Sequence, residues 1–155
     1  MTEELLTLPM EPEQRISRLL RQIERERRQT MDRLLRPCGL QGESYLLLLM
    51  VHHFPGASQE ELAGYLSTDR GNLARMAQKL EKQCYLCRTP IPDNRRRYSI
   101  RLTSEGEGAV QMVLDALHTW QNAATRGLSA EDKQRIIVWL GQILQNSRLP
   151  GPGQM

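Results

Sequence analysis

Ser58 and Glu61 stand three residues apart just before an apolar run. At that spacing a serine hydroxyl and a glutamate carboxylate cap each other's free backbone N–H groups, so a helix is expected to start there. Leu62, Ala63 and Leu66 would form its buried side. Ser67, Thr68 and Asp69 then offer a turn and a capping oxygen for a second helix running to about Gln83. In that second helix Leu73, Met76, Ala77 and Leu80 recur at helical spacing and predict one buried stripe. The opposite face, counted at about 100° per residue, carries Gly71, Arg75, Gln78 and Lys82, with Asn72 and Lys79 on its shoulder. No acid stands on that face, and its side chains can donate to phosphates or base edges.

Two extended pieces follow, about 85 to 90 and 97 to 102, joined by the turn-favouring residues Pro90, Pro92, Asp93 and Asn94. Arg95, Arg96, Arg97 and Arg101 fall in the turn and the return strand. Between Arg70 and Arg101, nine Lys or Arg face only Glu81 and Asp93, a local charge of +7 in a chain whose total is +3. Positive charge gathered in this way is the footprint of a nucleic-acid surface.

The pattern resembles the MarR (multiple-antibiotic-resistance regulator) family of winged helix-turn-helix transcription factors. The likeness runs from Cys38-Gly39-Leu40 through the two helices to Asn94-Arg95-Arg96 and Leu102-Thr103 with Gly106, in register with the family's D-x-R and L-T-x-x-G wing motif. It implies that Arg96 is a wing-tip arginine entering the minor groove and that the two ends of the chain form a dimer interface. Two positions depart from the family. Asn94 replaces the acid, with Asp93 one place early, which would leave the ion pair that braces the wing missing or shifted. Cys84 stands where a glycine usually follows the recognition helix, so a positive φ there would carry strain.

Elsewhere, Pro12 suits a first helical turn, and Pro37 with Gly39 should stop the long helix that follows. Ile16, Leu19, Leu20, Ile23, Met31, Leu34 and Leu35 form its stripe, a length one small domain can hardly cover. A second helix, about Gly42 to His53, is apolar nearly all round and should lie at the centre. After the hairpin, Ser104 with Glu107 reads as a capping box for a helix to about Thr125, with Val110, Val113, Leu114, Leu117 and Trp120 inward. Ser129 should cap a last helix that buries Ile136, Ile137, Leu140, Ile143 and Leu144. With 39% apolar residues and one Phe, the core is thin for 155 residues, and burial against a second subunit would help.

The expected fold is therefore mainly α with a small β-hairpin wing. Residues 40–103 form the winged helix-turn-helix, residues 12–37 and 104–148 the dimerisation helices of a homodimer, 1–11 a flexible N-terminus and 149–155 a disordered tail. No apolar run reaches the roughly 20 residues that cross a bilayer. The acidic start lacks the basic region of a secretory signal, so a cytoplasmic protein without membrane contact is expected.

Arg75 is the first choice for a base edge, since a guanidinium grips guanine O6 and N7 together; Asn72 offers the same geometry to adenine. Arg70, nearer the buried edge by angle, is expected at a phosphate. Lys79, Lys82, Ser58 and Gln59 are expected to position phosphates, and Arg95, Arg96 and Arg97 to act from the wing. Arg27, inside the long helix's apolar stripe, either pairs with an acid or lines a cavity for an anionic ligand. Tyr45, His52 and Trp120 are further candidates for that lining. Adjacent His52 and His53 diverge on a helix and read as edge or solvent residues.

Cys84 and Cys87 form a C-x-x-C whose alternate strand directions chelate poorly, with no second pair to complete a zinc site. They read as small apolar side chains at a junction, or, with Cys38, as a redox switch. No metal, cofactor or catalytic set is indicated. The resemblance implies a homodimeric DNA-binding regulator, most often a repressor, on a pseudo-palindromic operator of double-stranded DNA, released by a phenolic or aromatic-acid ligand.

Overall fold

The computed structural model describes residues 10–91 and 94–147, and the side chains of 91–97 lie outside what is described. Of the N-terminus 1–11 expected to be flexible, residues 1–9 fall outside the described residues, as do the tail 149–155 expected to be disordered and Pro92 and Asp93 of the expected turn. The chain divides into two compact units, Met1–Trp120 and Gln121–Met155. Among the described residues it is mostly helical, with one two-stranded antiparallel sheet.

In the first unit, α1 (Pro12–Leu35) begins with proline in its first turn, where the missing N–H costs nothing. Only Met31 and Leu35 of its apolar stripe are buried. A short 3-10 turn, Arg36–Cys38, ends at Gly39. There φ is +68° and the Gly39 N–H bonds the Arg36 carbonyl at 2.9 Å, a conformation glycine adopts without Cβ strain. The next helix, α2 (Ser44–His53), lies at the centre as its sequence implies, with Tyr45, Leu47, Leu48, Leu49 and Val51 all buried. Around it close Leu40, Leu62, Leu73, Leu80, Leu86, Ile100, Val110 and Val113.

The capping box forms at the start of α3 (Gln59–Tyr65): the Glu61 N–H donates to Ser58 Oγ at 3.2 Å, and the Ser58 N–H donates to the Glu61 carboxylate at 2.8 Å. Asp69 caps α4 (Arg70–Lys82) by accepting the Asn72 N–H at 2.8 Å. Leu73, Ala77 and Leu80 go inward and Met76 is half-buried. Beyond α4, Cys84 takes φ +60°, the left-handed conformation that strains a residue with a Cβ.

Strands β1 (Leu86–Ile91) and β2 (Asn94–Leu102) pair from Leu86↔Leu102 to Pro90↔Tyr98. Leu86 and Ile100 point into the core, as the period of two requires. One edge of the hairpin is tied down by backbone: the Gly56 N–H donates to the Ile100 carbonyl at 3.1 Å and the Ile100 N–H to the Ala57 carbonyl at 3.0 Å.

The cap of α5 (Ser104–Ala124) is Thr103, one residue before the expected Ser104. Thr103 Oγ1 accepts the Gly106 N–H at 3.0 Å. The buried face also differs, running through Gly106, Ala109, Val110, Val113 and Ala116, while Leu114 is 40% exposed. Gly106 sits directly against the Tyr85 carbonyl, and that seat sets the rotation of the helix. Leu114 then lies about 80° away from the contact, at about 100° per residue.

In the second unit, Ser129 caps α6 (Ala130–Asn146) through a capping box with Asp132. Hydrogen bonds from Ser129 hold the Asp132 carboxyl below its ordinary range. The inward face expected for this helix is corrected: α6 has no buried residue, and Ile137, Trp139 and Leu144 are about 60% exposed. Among the described residues of its own unit, no second layer covers the apolar row.

Candidate nucleic-acid interface

The outward face of α4 exists because its other side is consumed by Leu73, Ala77 and Leu80. Arg75, Gln78, Lys79 and Lys82 are exposed there. Arg75, Lys79 and Lys82 have no acidic partner among the described residues. A row of unpaired cations on a helix can meet phosphates, and the planar Arg75 can grip a base edge.

The other expected contacts are distributed less simply. Arg70 is not near a buried edge: its side chain is 77% exposed and it pairs with Glu60 of α3. Ser58 is buried at 4% exposure, with its hydroxyl committed to Glu61 at 2.6 Å, which removes it from the exposed donors. Gln59 beside it is half-buried. Asn72 donates one amide N–H to Thr68 Oγ1 at 2.9 Å, which leaves its second N–H and its Oδ1 for a base edge. Arg95, Arg96 and Arg97 belong to β2, and their side chains lie outside the described residues. The local charge is also partly internal, because Arg88 is bonded to Glu81.

Beside Arg75 opens a cavity of about 370 Å³ whose lining includes Arg28, Gln41, Glu43, Asn72, Arg75 and Lys79. Arg28 and Glu43 pair across its rim at 2.9 Å. Neither was expected at a site, since a charged residue on a helix face gives no periodic signal of what will approach it from another element.

Of the four candidates for a ligand lining, Arg27 and Tyr45 are brought together, while His52 pairs with a residue of another element. Arg27 Nε and Nη2 donate to the two Glu24 carboxylate oxygens at 2.8 and 2.7 Å, and Nη1 donates to the Tyr45 hydroxyl. Arg27 has therefore found an acid, the plainer of its two readings. Hydrogen bonding to Glu24 holds it firmly protonated, and Arg27 in turn holds the Glu24 carboxyl below its usual range. Burial raises the Tyr45 hydroxyl above its ordinary value. His52 instead meets Glu107 at 3.1 Å, near the start of α5. Trp120 lies about 20 Å farther along that helix at 1.5 Å per residue.

Replacing Tyr45 with Phe should cost about 1 kcal/mol near neutral pH by removing an acceptor from Arg27. Because the folded state favours the protonated phenol, its contribution is complete below about pH 10 and falls as pH rises past that value. Urea titrations of both proteins from neutral to alkaline pH should therefore converge at the alkaline end. A constant gap would contradict the assignment.

All three cysteines are free. Cys84 and Cys87 are exposed at the base of the hairpin, which corrects their reading as packed apolar groups; Cys38 is half-buried, its Sγ 3.2 Å from Met112 Sδ. Among the described residues no group of three or more His, Cys, Asp or Glu is placed to hold a metal, and no helix is long and apolar enough to cross a membrane.

Comparison with known proteins gives a concordant set. The MarR family model matches residues 40–98. The HTH-type transcriptional regulator YybA of Bacillus subtilis, itself uncharacterized, is 28% identical over 102 residues, covering 66% of this chain and 68% of that protein. The chain spans 62% to 68% of the lengths of this and similar curated relatives. A crystal structure of MarR superimposes with a TM-score of 0.79 at 26% identity, over 90% of this chain and 95% of the other. A mutant MarR from E. coli, solved in complex with operator DNA, shares the fold with a TM-score of 0.76 at 21% identity, over 83% and 93% of the two chains.

Proposed function

We propose that the chain is a winged helix-turn-helix transcriptional regulator of the MarR kind, supported by the family model matching residues 40–98, and that it binds double-stranded DNA in a sequence-specific way and represses transcription as a homodimer. The observation that carries this reading is the outward face of α4, where Arg75, Lys79 and Lys82 stand exposed and without acidic partners among the described residues. The α4 helix enters the major groove, Arg75 reads a base edge, and Lys79 and Lys82 hold phosphates. The wing arginines Arg95, Arg96 and Arg97 reach the neighbouring minor groove. The exposed apolar row of α6 meets a second copy, and the dimer presents two α4 helices to successive major grooves about 34 Å apart on a pseudo-palindromic operator. The protein works in the cytoplasm and needs no cofactor.

Release comes from a small aromatic or phenolic anion. The cavity beside Arg75 supports this, because Arg75 and Lys79 supply cationic groups without acidic partners among the described residues, and the same space adjoins the base-reading side chains. A ligand there lowers DNA affinity by the difference in its own affinity for the free and bound proteins. One observation favours a second reading: Cys84 is exposed and strained at the joint between α4 and the wing. Its oxidation would displace the recognition helix.

The test is binding to the duplex upstream of the protein's own gene, in reduced and peroxide-treated form and with aromatic acids. Affinity should fall about a thousandfold between roughly 50 and 200 mM salt, with a preferred sequence and release by an aromatic acid. Release by peroxide alone, reversed by thiol, would favour the cysteines. Binding that ignores both salt and sequence would overturn the proposal.

A further inference from the structure

Arg88 on β1 looks in sequence like one more cation of the basic strip. In the fold it is a strut. Its Nε donates to Glu81 Oε2 at 2.9 Å and its Nη2 donates to the same oxygen at 2.5 Å. Glu81 belongs to the last turn of α4. The Arg88 guanidinium also lies over the Tyr98 ring of β2, 5.8 Å from its centroid. Side-chain exposures of 26% for Arg88 and 35% for Glu81 leave the pair partly shielded from water, where an ion pair keeps more of its strength than on an open surface.

The position of this contact gives it a mechanical meaning. The β2 edge of the hairpin is fastened by the backbone of Gly56 and Ala57 to Ile100, and by the bridge between Ser58 and Ser99. On the β1 edge, the ion pair joins Arg88 to the body of the unit. Two attachments on opposite edges fix the roll of a ribbon; one alone acts as a hinge.

We propose that Glu81, acting through Arg88, is a positioning residue that sets the direction of the wing relative to the recognition helix, so that an acid within the basic strip strengthens DNA binding. The inference rests on the DNA-binding reading of α4 and the wing. Its sign is opposite to that of simple electrostatics. An acid close to phosphate repels it, so neutralising Glu81 as a mere surface charge would tighten binding; loosening the wing weakens it.

The experiment compares wild type, Glu81→Gln, Arg88→Gln and the exchanged pair Glu81→Arg with Arg88→Glu. Hydroxyl-radical footprints on the protected duplex, salt titrations and amide hydrogen exchange of the free proteins are measured for each. Both single variants should bind roughly tenfold more weakly, with a salt slope lower by about one to three phosphate contacts. Protection should be lost at the flanks reached by the wing and kept at the centre of each half-site. Exchange should quicken in β1 and β2 and stay unchanged in α2, and the exchanged pair should recover much of both effects. Unchanged or tighter binding by Glu81→Gln overturns the proposal, as does hairpin exchange that does not respond to it. Wild-type protein that protects no duplex would instead overturn the DNA reading, a failure visible independently of the exchange result.

Discussion

Gly106→Ala is expected to destabilise the protein by about 2–4 kcal/mol, although alanine is the better helix former by about 1 kcal/mol. A Cβ at this position would stand 2.1 Å from the Tyr85 carbonyl oxygen and 3.1 Å from Leu102 Cδ2. The obstacle is backbone, held in turn by the Thr103 N–H at 3.1 Å, so no rotamer change relieves it. Either the first turn of α5 or the start of the hairpin has to move. Gly108, two residues along the same helix, has nothing within 4 Å of its missing Cβ. Gly108→Ala should stabilise by up to about 1 kcal/mol. Thermal or urea unfolding of the two variants should give shifts of opposite sign; shifts of the same sign and size would mean that the close approach does not control this helix.

A second large effect is expected at Arg75. Arg75→Ala should reduce discrimination between the preferred duplex and a scrambled one by about 1–3 kcal/mol, the range for one bidentate base contact. Lys82→Ala should instead weaken both duplexes alike and lower the salt slope by about one. Arg96→Ala should resemble Lys82→Ala, since a wing arginine contributes mostly to affinity. Competition titrations on paired duplexes measure both quantities. An equal loss on all sequences for Arg75→Ala would remove it as a base reader.

Local rules made much of this architecture legible. The box at Ser58, the caps at Asp69 and Ser129 and most of the stripe of α4 depend on residues within a few positions of one another, and these are found in the structure. Features decided by another element were harder to read. Thr103 caps α5 because its hydroxyl also donates to the Cys84 carbonyl at 2.5 Å, a partner 19 residues away. Leu114 turns outward because Gly106 must face Tyr85. Glu81 and Arg88 entered a charge count as two independent groups, and only the hairpin's register brings them together. His52, plausible beside Arg27 by residue type, pairs instead with Glu107, 55 residues away in sequence. The α6 row could be recognised as apolar, but what covers it depends on a surface outside that helix.

Thr103 binds the Cys84 carbonyl through its hydroxyl and the Tyr85 carbonyl through its N–H, while capping α5 with the same hydroxyl. The wing base and the first turn of α5 are thus one joint. From this point α5 extends about 25 Å to Trp120 at 1.5 Å per residue. On the other side, β2 extends about 30 Å to Asn94 at roughly 3.3 Å per residue. Thr103 is the fulcrum of a lever whose wing arm is somewhat the longer. A rigid tilt that moves Trp120 by a given distance would move the strand end at Asn94 by a slightly greater one.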